Sequence, residues 1–166
     1  MEFQAYIDEY YKQFNEIYTG GSKINEPVPS VASAIYIPYI NRMISWKIRC
    51  EHSIISAEFF AILQALKYVK SQLGGSNWII FSDSMSVLQI IVVRHATYCS
   101  IVNEIQDLVN ELILRYNILL HWVKSHKGIV GNEIADKSAN MGHQNNSTVL
   151  CSLQEKNASV ISRKSS

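Results

Sequence analysis

The chain has 166 residues, 48% of them hydrophobic, which suffices for one compact domain that buries roughly 70% of its unfolded surface. Its 15 Lys and Arg oppose 14 Asp and Glu, so a net charge of +1 neither demands nor excludes a polyanionic partner. Cys50, Cys99 and Cys151 are odd in number and form no CxxC pattern, which argues against a zinc site or a disulfide framework and for a reducing, intracellular compartment. No apolar run approaches the ~18 residues of a membrane span, and the polar, acidic start is unlike a secretory signal.

Taken in chain order, residues 1–13 form an N-terminal leader of helical character whose Tyr and Phe side chains could pack on the domain. That domain is expected over 14–143, and a polar, Ser/Asn-rich tail, disordered by composition, over 144–166. Three short β-type runs open the domain, "NEIYT", "SVASAIYI" and "RMISWKIRC". Between the first two, "EPVP" rules out a helix, because Pro27 and Pro29 lack the amide donor and hold their predecessors extended. "SAEFFAILQALKYVKSQLGG" then sets Ile55, Phe59, Ile62, Leu66 and Val69 along one side of a helix that ends at Gly74 and Gly75. A buried strand ("NWIIFSD"), a short helix ("SMSVLQIIVV"), a long amphipathic helix ("SIVNEIQDLVNELILRY"), a strand ("NILLHWVKS") and a closing helix ("GNEIADKSANMG") complete the order. The pattern predicts an α/β domain with a five-stranded mixed sheet flanked by helices, and ligand sites in such sheets favour the carboxyl ends of parallel strands.

Four residues stand out against that frame. Glu58 shares the apolar arc of its helix, so the helix carries a carboxylate towards the sheet, which is unfavourable by several kcal/mol unless a cation or donor meets it. Taken alone, it reads equally well as an acid favoured by the helix N-terminus. Asp83 follows "WIIF" at a strand end, where a helix N-cap is the competing reading. Asp136 lies three residues after Glu133 on the last helix, where acids commonly face solvent, and His126 sits in the glycine-flanked "SHKGIVGNE", able to reach a site without belonging to the core.

The segments "IYTGGSK", "SAEFFAILQAL", "IIFSDSMSVLQ" and "HWVKSHKGIVGNEIADKSA" resemble, in order and rough spacing, the ribonuclease H type 1 domain, with a look closest to the ribonuclease H domains of non-LTR retrotransposons. The resemblance covers about Glu16 to Met141 and implies a ribonuclease H-like fold. It also implies endonucleolytic hydrolysis of the RNA strand of RNA/DNA hybrids with two Mg²⁺ or Mn²⁺ ions. By that resemblance Glu58 and Asp83 hold the metal that activates the attacking water, Asp136 holds the second metal, and His126 matches a mobile histidine linked to proton transfer or product release. Gly21 and Ser22 mark the expected nucleic-acid contact, and Lys23, Arg42, Lys47, Lys124 and Lys127 could meet phosphates.

One position departs from the pattern. Where the family carries an aspartate ending the first strand, this chain has Gly20, so the carboxylate that would bridge both metals is missing and activity is expected to be impaired. Glu16 shares the strand face but lies about 13 Å away along the strand. Two functions are then open: an impaired hybrid-cutting enzyme, or a retrotransposon-derived module that binds hybrids or proteins without cutting. Gly20→Asp is expected to restore cleavage and to be neutral or slightly favourable for folding. Only about six residues, "RHATYC", separate the second and third helices, which leaves no room for a large basic protrusion and predicts weak hybrid affinity for an isolated, monomeric domain.

Overall fold

In the computed structural model, which describes residues 2–49, 54–74, 77–93 and 100–150, the three opening runs become a meander. Its strands are β1 (Phe14–Ile24), β2 (Ser30–Ile37) and β3 (Arg42–Arg49), paired antiparallel in turn. Pro27 and Pro29 occupy the first turn, where no ladder hydrogen bond is asked of them. Asn41, with φ of 47°, turns the chain from a 3₁₀ turn at Pro38–Ile40 into β3, using the tolerance of Asn for the left-handed region. β1 does not stop at its glycines but runs on past Thr19 to Ile24, with Gly20 opposite Ala34 and Gly21 opposite Ser33.

Helix α1 (Phe3–Tyr10) precedes the meander, and α2 (Ile54–Ser71), β4 (Asn77–Ser82), α3 (Met85–Val92), α4 (Ser100–Leu112), β5 (Asn117–Trp122), α5 (Val130–Gly142) and β6 (Thr148–Leu150) come after it. The sheet order is β5-β4-β1-β2-β3-β6, with β5, β4 and β1 parallel, so β4 and β5 are reached through helical crossovers. The sheet therefore has six strands rather than the expected five. The extra strand, β6, pairs parallel with β3 (Lys47 opposite Thr148, Arg49 opposite Leu150) inside the segment whose composition predicted disorder. The β-branched pair Thr148–Val149 suits a strand, and the outer edge of β3 offers unpaired backbone groups. Asn145 leads the chain there by donating from Nδ2 to the Ser45 carbonyl at 2.9 Å. Residues 151–166, the 94–99 link and all three cysteines lie outside the described residues.

The two faces of the sheet carry separate apolar clusters. On one, Ile62, Leu66 and Val69 of α2 meet Ile17, Ile35 and Ile80 of the strands and Ile101, Ile105 and Leu112 of α4. Lys67–Glu104 and Lys70–Glu111 ion pairs bridge α2 and α4 at the surface, where each contributes under about 1 kcal/mol. On the other face, Tyr18, Tyr36, Phe81 and Val123 pack with Ala135 of α5 and Ile7 of α1. The leader helix sets Phe3 edge-on against Phe81 at 5.4 Å between ring centres. Ile55, expected on the buried arc of α2, is instead 40% exposed and lines a cavity from the first turn of the helix. Among the described residues no helix is long and apolar enough to cross a membrane.

Candidate active site

β1 and β4 run side by side only from Phe14 to Tyr18. Thr19 closes this paired section by donating from Oγ1 to the Phe81 carbonyl at 2.8 Å. Beyond it β1 continues along β2, β4 ends at Ser82, and the sheet opens into a fork. Helices α2 and α5 stand on opposite faces, yet the fork lets both look into one space. A cavity of about 390 Å³ lies there, lined among others by Gly21, Glu58, Asp83, His126, Asp136 and Asn140. Glu58 comes from the second turn of α2, Asp83 from the residue after β4, Asp136 and Asn140 from one side of α5 by their four-residue spacing, and His126 from the loop before α5. That loop is bent by left-handed backbone at His126 (φ 55°) and Gly128 (φ 74°). All four predicted catalytic residues therefore share one cavity at the carboxyl end of β4, the position favoured for ligands in α/β sheets.

The acids strain one another. Glu58 is 7% exposed, and burial, then the charges of Asp83 and Asp136, push its pKa up to about 8, against the lowering effect of the Gly21 backbone N–H bonded to it. Its Oε2 is buried with no hydrogen-bond partner. Asp136 is pushed up to about 6 by burial and Asp83, partly offset by His126. Asp83 is held from two sides: Asn132 Nδ2 donates to its Oδ2 at 3.4 Å, and Trp122 Nε1 donates to its backbone carbonyl at 3.2 Å. Among the described residues no Lys or Arg forms an ion pair with Glu58, Asp83 or Asp136.

The two glycines of β1 face opposite ways. A Cβ on Gly21 would lie 2.8 Å from Glu58 Oε1, so the glycine is what lets the carboxylate reach the strand backbone. A Cβ on Gly20 would lie 2.9 Å from both the carbonyl carbon and oxygen of Ala135 and 3.1 Å from the Asp136 nitrogen. Helix α5 thus rests its backbone directly on β1 where a side chain would otherwise stand. This overturns the expectation that Gly20→Asp would be neutral or favourable for folding, because the obstruction is backbone and cannot rotate away. At the expected nucleic-acid contact, Gly21 and Ser22 make bonds within the protein. The Gly21 amide is committed to Glu58, and the nearly buried Ser22 spends its hydroxyl on Asn140 Oδ1 at 2.6 Å.

The donors suit a hard divalent cation: carboxylate oxygens, one of them bare, in mutual repulsion that positive charge would relieve. Among the described residues, however, no three Asp, Glu, His or Cys side chains converge closely enough to hold one ion by themselves. The set therefore fits a loosely held ion bound through one or two carboxylates, with water and substrate oxygens completing its shell, which is a common arrangement for Mg²⁺. Sequence reasoning missed Asn132, which fixes Asp83, and Asn140. The four-residue step from Asp136 to Asn140 was the available signal for the second.

The sequence model of the RNase H family matches residues 12–144. Among solved structures, the chain is similar to a foamy viral protease–reverse transcriptase in complex with dsDNA, at 20% identity and TM-score 0.63, covering 80% of this chain and 96% of that one. It is also similar to a foamy viral protease–reverse transcriptase in complex with RNA/DNA hybrid, at 20% identity and TM-score 0.60, over 80% of this chain and 20% of that one. At this identity the likeness speaks for the fold.

Proposed function

Since the chain belongs to the RNase H family, we propose that it binds RNA/DNA hybrids at the fork between β1 and β4 and hydrolyses the RNA strand, at a rate impaired by Gly20. The observation that carries this reading is the meeting of Glu58, Asp83, Asp136 and His126 on one cavity, with the buried Glu58 Oε2 unpartnered. Glu58 and Asp83 would hold one divalent ion, Mg²⁺ or Mn²⁺, and Asp136 a second. Bound there, such ions supply an activated water and neutralise charge on the scissile phosphate. The chain's own groups then orient and exchange protons. Gly21 fixes Glu58 through its backbone N–H, so that Oε2 is the free oxygen, and Asn132 fixes Asp83. Without a cation, burial and Asp83 push the Asp136 carboxyl up to about 6, so a divalent ion bound there would displace its proton and hold it ionised. The segments "IYTGGSK" and "HWVKSHKGIVGNEIADKSA" are among those that support a non-LTR retrotransposon lineage.

A second reading, a module that binds hybrids without cutting, is favoured by one specific observation. Gly20 supplies no carboxylate, and the α5 backbone packs against the place where its side chain would start. Cleavage of a labelled hybrid in Mg²⁺ and in Mn²⁺, by wild type and Asp83→Asn, decides between the two. Slow cutting that Asp83→Asn abolishes supports the enzyme, and binding without cutting supports the module. A wild type that neither binds nor cuts hybrid overturns both.

A further inference from the structure

Beside the acidic cavity, and unused by the chemistry of the acids, four polar side chains from β1, β2, α5 and the residue after α5 form one hydrogen-bonded chain. Ser22 Oγ donates to Asn140 Oδ1 at 2.6 Å, His143 Nε2 lies 2.9 Å from Ser22 Oγ, and His143 Nδ1 lies 2.8 Å from Ser30 Oγ. With Ser22 donating to Asn140, the proton count fixes the other two directions. Ser22 has a single hydroxyl proton, given to Asn140, so Nε2 must carry a proton and donate to Ser22. A neutral imidazole then has a bare Nδ1, which accepts from the Ser30 hydroxyl. Burial and the charge of Lys47 lower the pKa of His143, keeping the ring neutral at neutral pH.

The end of that chain sits on the cavity. Asn140 is exposed and lines it, one helical turn beyond Asp136. With Oδ1 tied to Ser22, the amide nitrogen is the atom left free, with two N–H donors. The opposite orientation would turn a carbonyl oxygen towards a cavity already lined by three carboxylates, so local electrostatics favour the same arrangement.

We propose that Asn140 is a substrate-contacting residue, presenting its side-chain N–H group to an oxygen of the nucleic-acid backbone, and that Ser30, His143 and Ser22 are positioning residues that hold the amide in this orientation. The proposal rests on the hybrid-binding function and names the donor that grips the substrate in place of the committed Gly21 amide and Ser22 hydroxyl. A neutral donor suits this place, because it meets a phosphate or ribose oxygen without adding charge among the acids. Asn140 also comes from the same helix as Asp136, so a contact there would set the distance between the backbone and that acid.

The test measures binding of fluorescent RNA/DNA hybrid and DNA duplex to the full chain in Ca²⁺, for wild type, Asn140→Ala, Asn140→Asp and His143→Ala, together with the ring tautomer of His143 by ¹⁵N NMR of the wild type. One hydrogen bond to a charged group corresponds to about ten- to hundredfold, so Asn140→Ala should weaken hybrid binding by about that factor and Asn140→Asp by more. His143→Ala, which frees the amide to rotate, should show a smaller loss in the same direction. An equal loss on DNA duplex identifies a phosphate oxygen, and a loss confined to hybrid identifies a ribose hydroxyl. Wild-type affinity in Asn140→Ala overturns the contact alone. A wild type that binds no hybrid overturns the function on which the proposal rests, and an Nδ1–H tautomer overturns the orientation whatever the variants do.

Discussion

Replacing Gly20 by alanine measures how firmly α5 has settled on β1. The added Cβ would stand 2.9 Å from Ala135 carbonyl atoms, whereas non-bonded carbons are at ease from about 3.5 Å, so helix or strand must yield by roughly 0.6 Å. The helix is poorly placed to yield. A Cβ on its Gly131 would run into the Tyr18 ring, so its first turn is already in close contact with β1. Its far end is tied through Asn140 to Ser22, and the next residues through Asn145 to Ser45. Overpacking of this kind costs about 1–3 kcal/mol, against up to about 1 kcal/mol recovered by removing the glycine's unfolded freedom. A net loss of about 1–2 kcal/mol, at roughly 2–4 °C each for a chain of this size, predicts a Tm lower by about 2–8 °C. Thermal unfolding in EDTA reads it directly, and an alanine variant as stable as wild type would refute the packing argument.

The same geometry sharpens what aspartate does at this position. Gly20→Asp carries the steric penalty of alanine and adds a carboxylate near Asp136 and Glu58, so without divalent ions it should be less stable than Gly20→Ala. Per folded molecule, a restored bridging ligand should raise hybrid cleavage by two to three powers of ten, roughly 3–4 kcal/mol of transition-state stabilisation. The expected signature is activity up and stability down. A wild type that cuts as fast as the revertant would show that another group replaces the missing acid. Glu58 sets a pH dependence in the metal-free protein. Its folded pKa of about 8 lies above the ordinary unfolded value near 4.3, so the folded state binds the extra proton and stability is lost as pH rises from about 4.5 through 8. The effect is roughly 4–5 kcal/mol for this group, and the advantage of Glu58→Gln over wild type in urea unfolding should grow between pH 5 and pH 9; an advantage independent of pH would contradict it. Mg²⁺ should raise the wild-type Tm more at pH 9 than at pH 5, and Glu58→Gln should blunt the difference. Gly131→Ala should lower Tm by several degrees through Tyr18, and adding Tyr18→Leu should recover part of the loss, as differential scanning fluorimetry would show.

Much of this arrangement was legible in the sequence because period and punctuation agree. The proline pair broke the meander where it turns, the arc of Ile62, Leu66 and Val69 placed α2, and a carboxylate on that arc marked Glu58. β6 was hidden because Thr148–Leu150 is too short to register as a strand and sits in polar surroundings, so its pairing depends on the free edge of β3. The course of β1 through Gly20 and Gly21 was hidden too. Glycine reads as a breaker, whereas here both are needed for close approach of α5 on one side and Glu58 on the other. The Asn140–Ser22–His143–Ser30 chain joins residues more than a hundred positions apart, a separation no local pattern reports.

The three residues of β6 also have a bearing on how copies of this protein behave towards one another. They cap only Lys47–Arg49 of β3, and among the described residues the outer backbone of Arg42–Trp46 has no neighbour in the sheet, beside an exposed Met43. An open strand edge is a template for pairing with another chain, and the defences available here are slight: one arginine, a 3₁₀ turn at the strand's start and the cap at its end. Without β6 the whole of β3 would be such a template. The polar stretch after α5 therefore shortens the edge open to self-association, and its removal would be felt first in solubility rather than in chemistry.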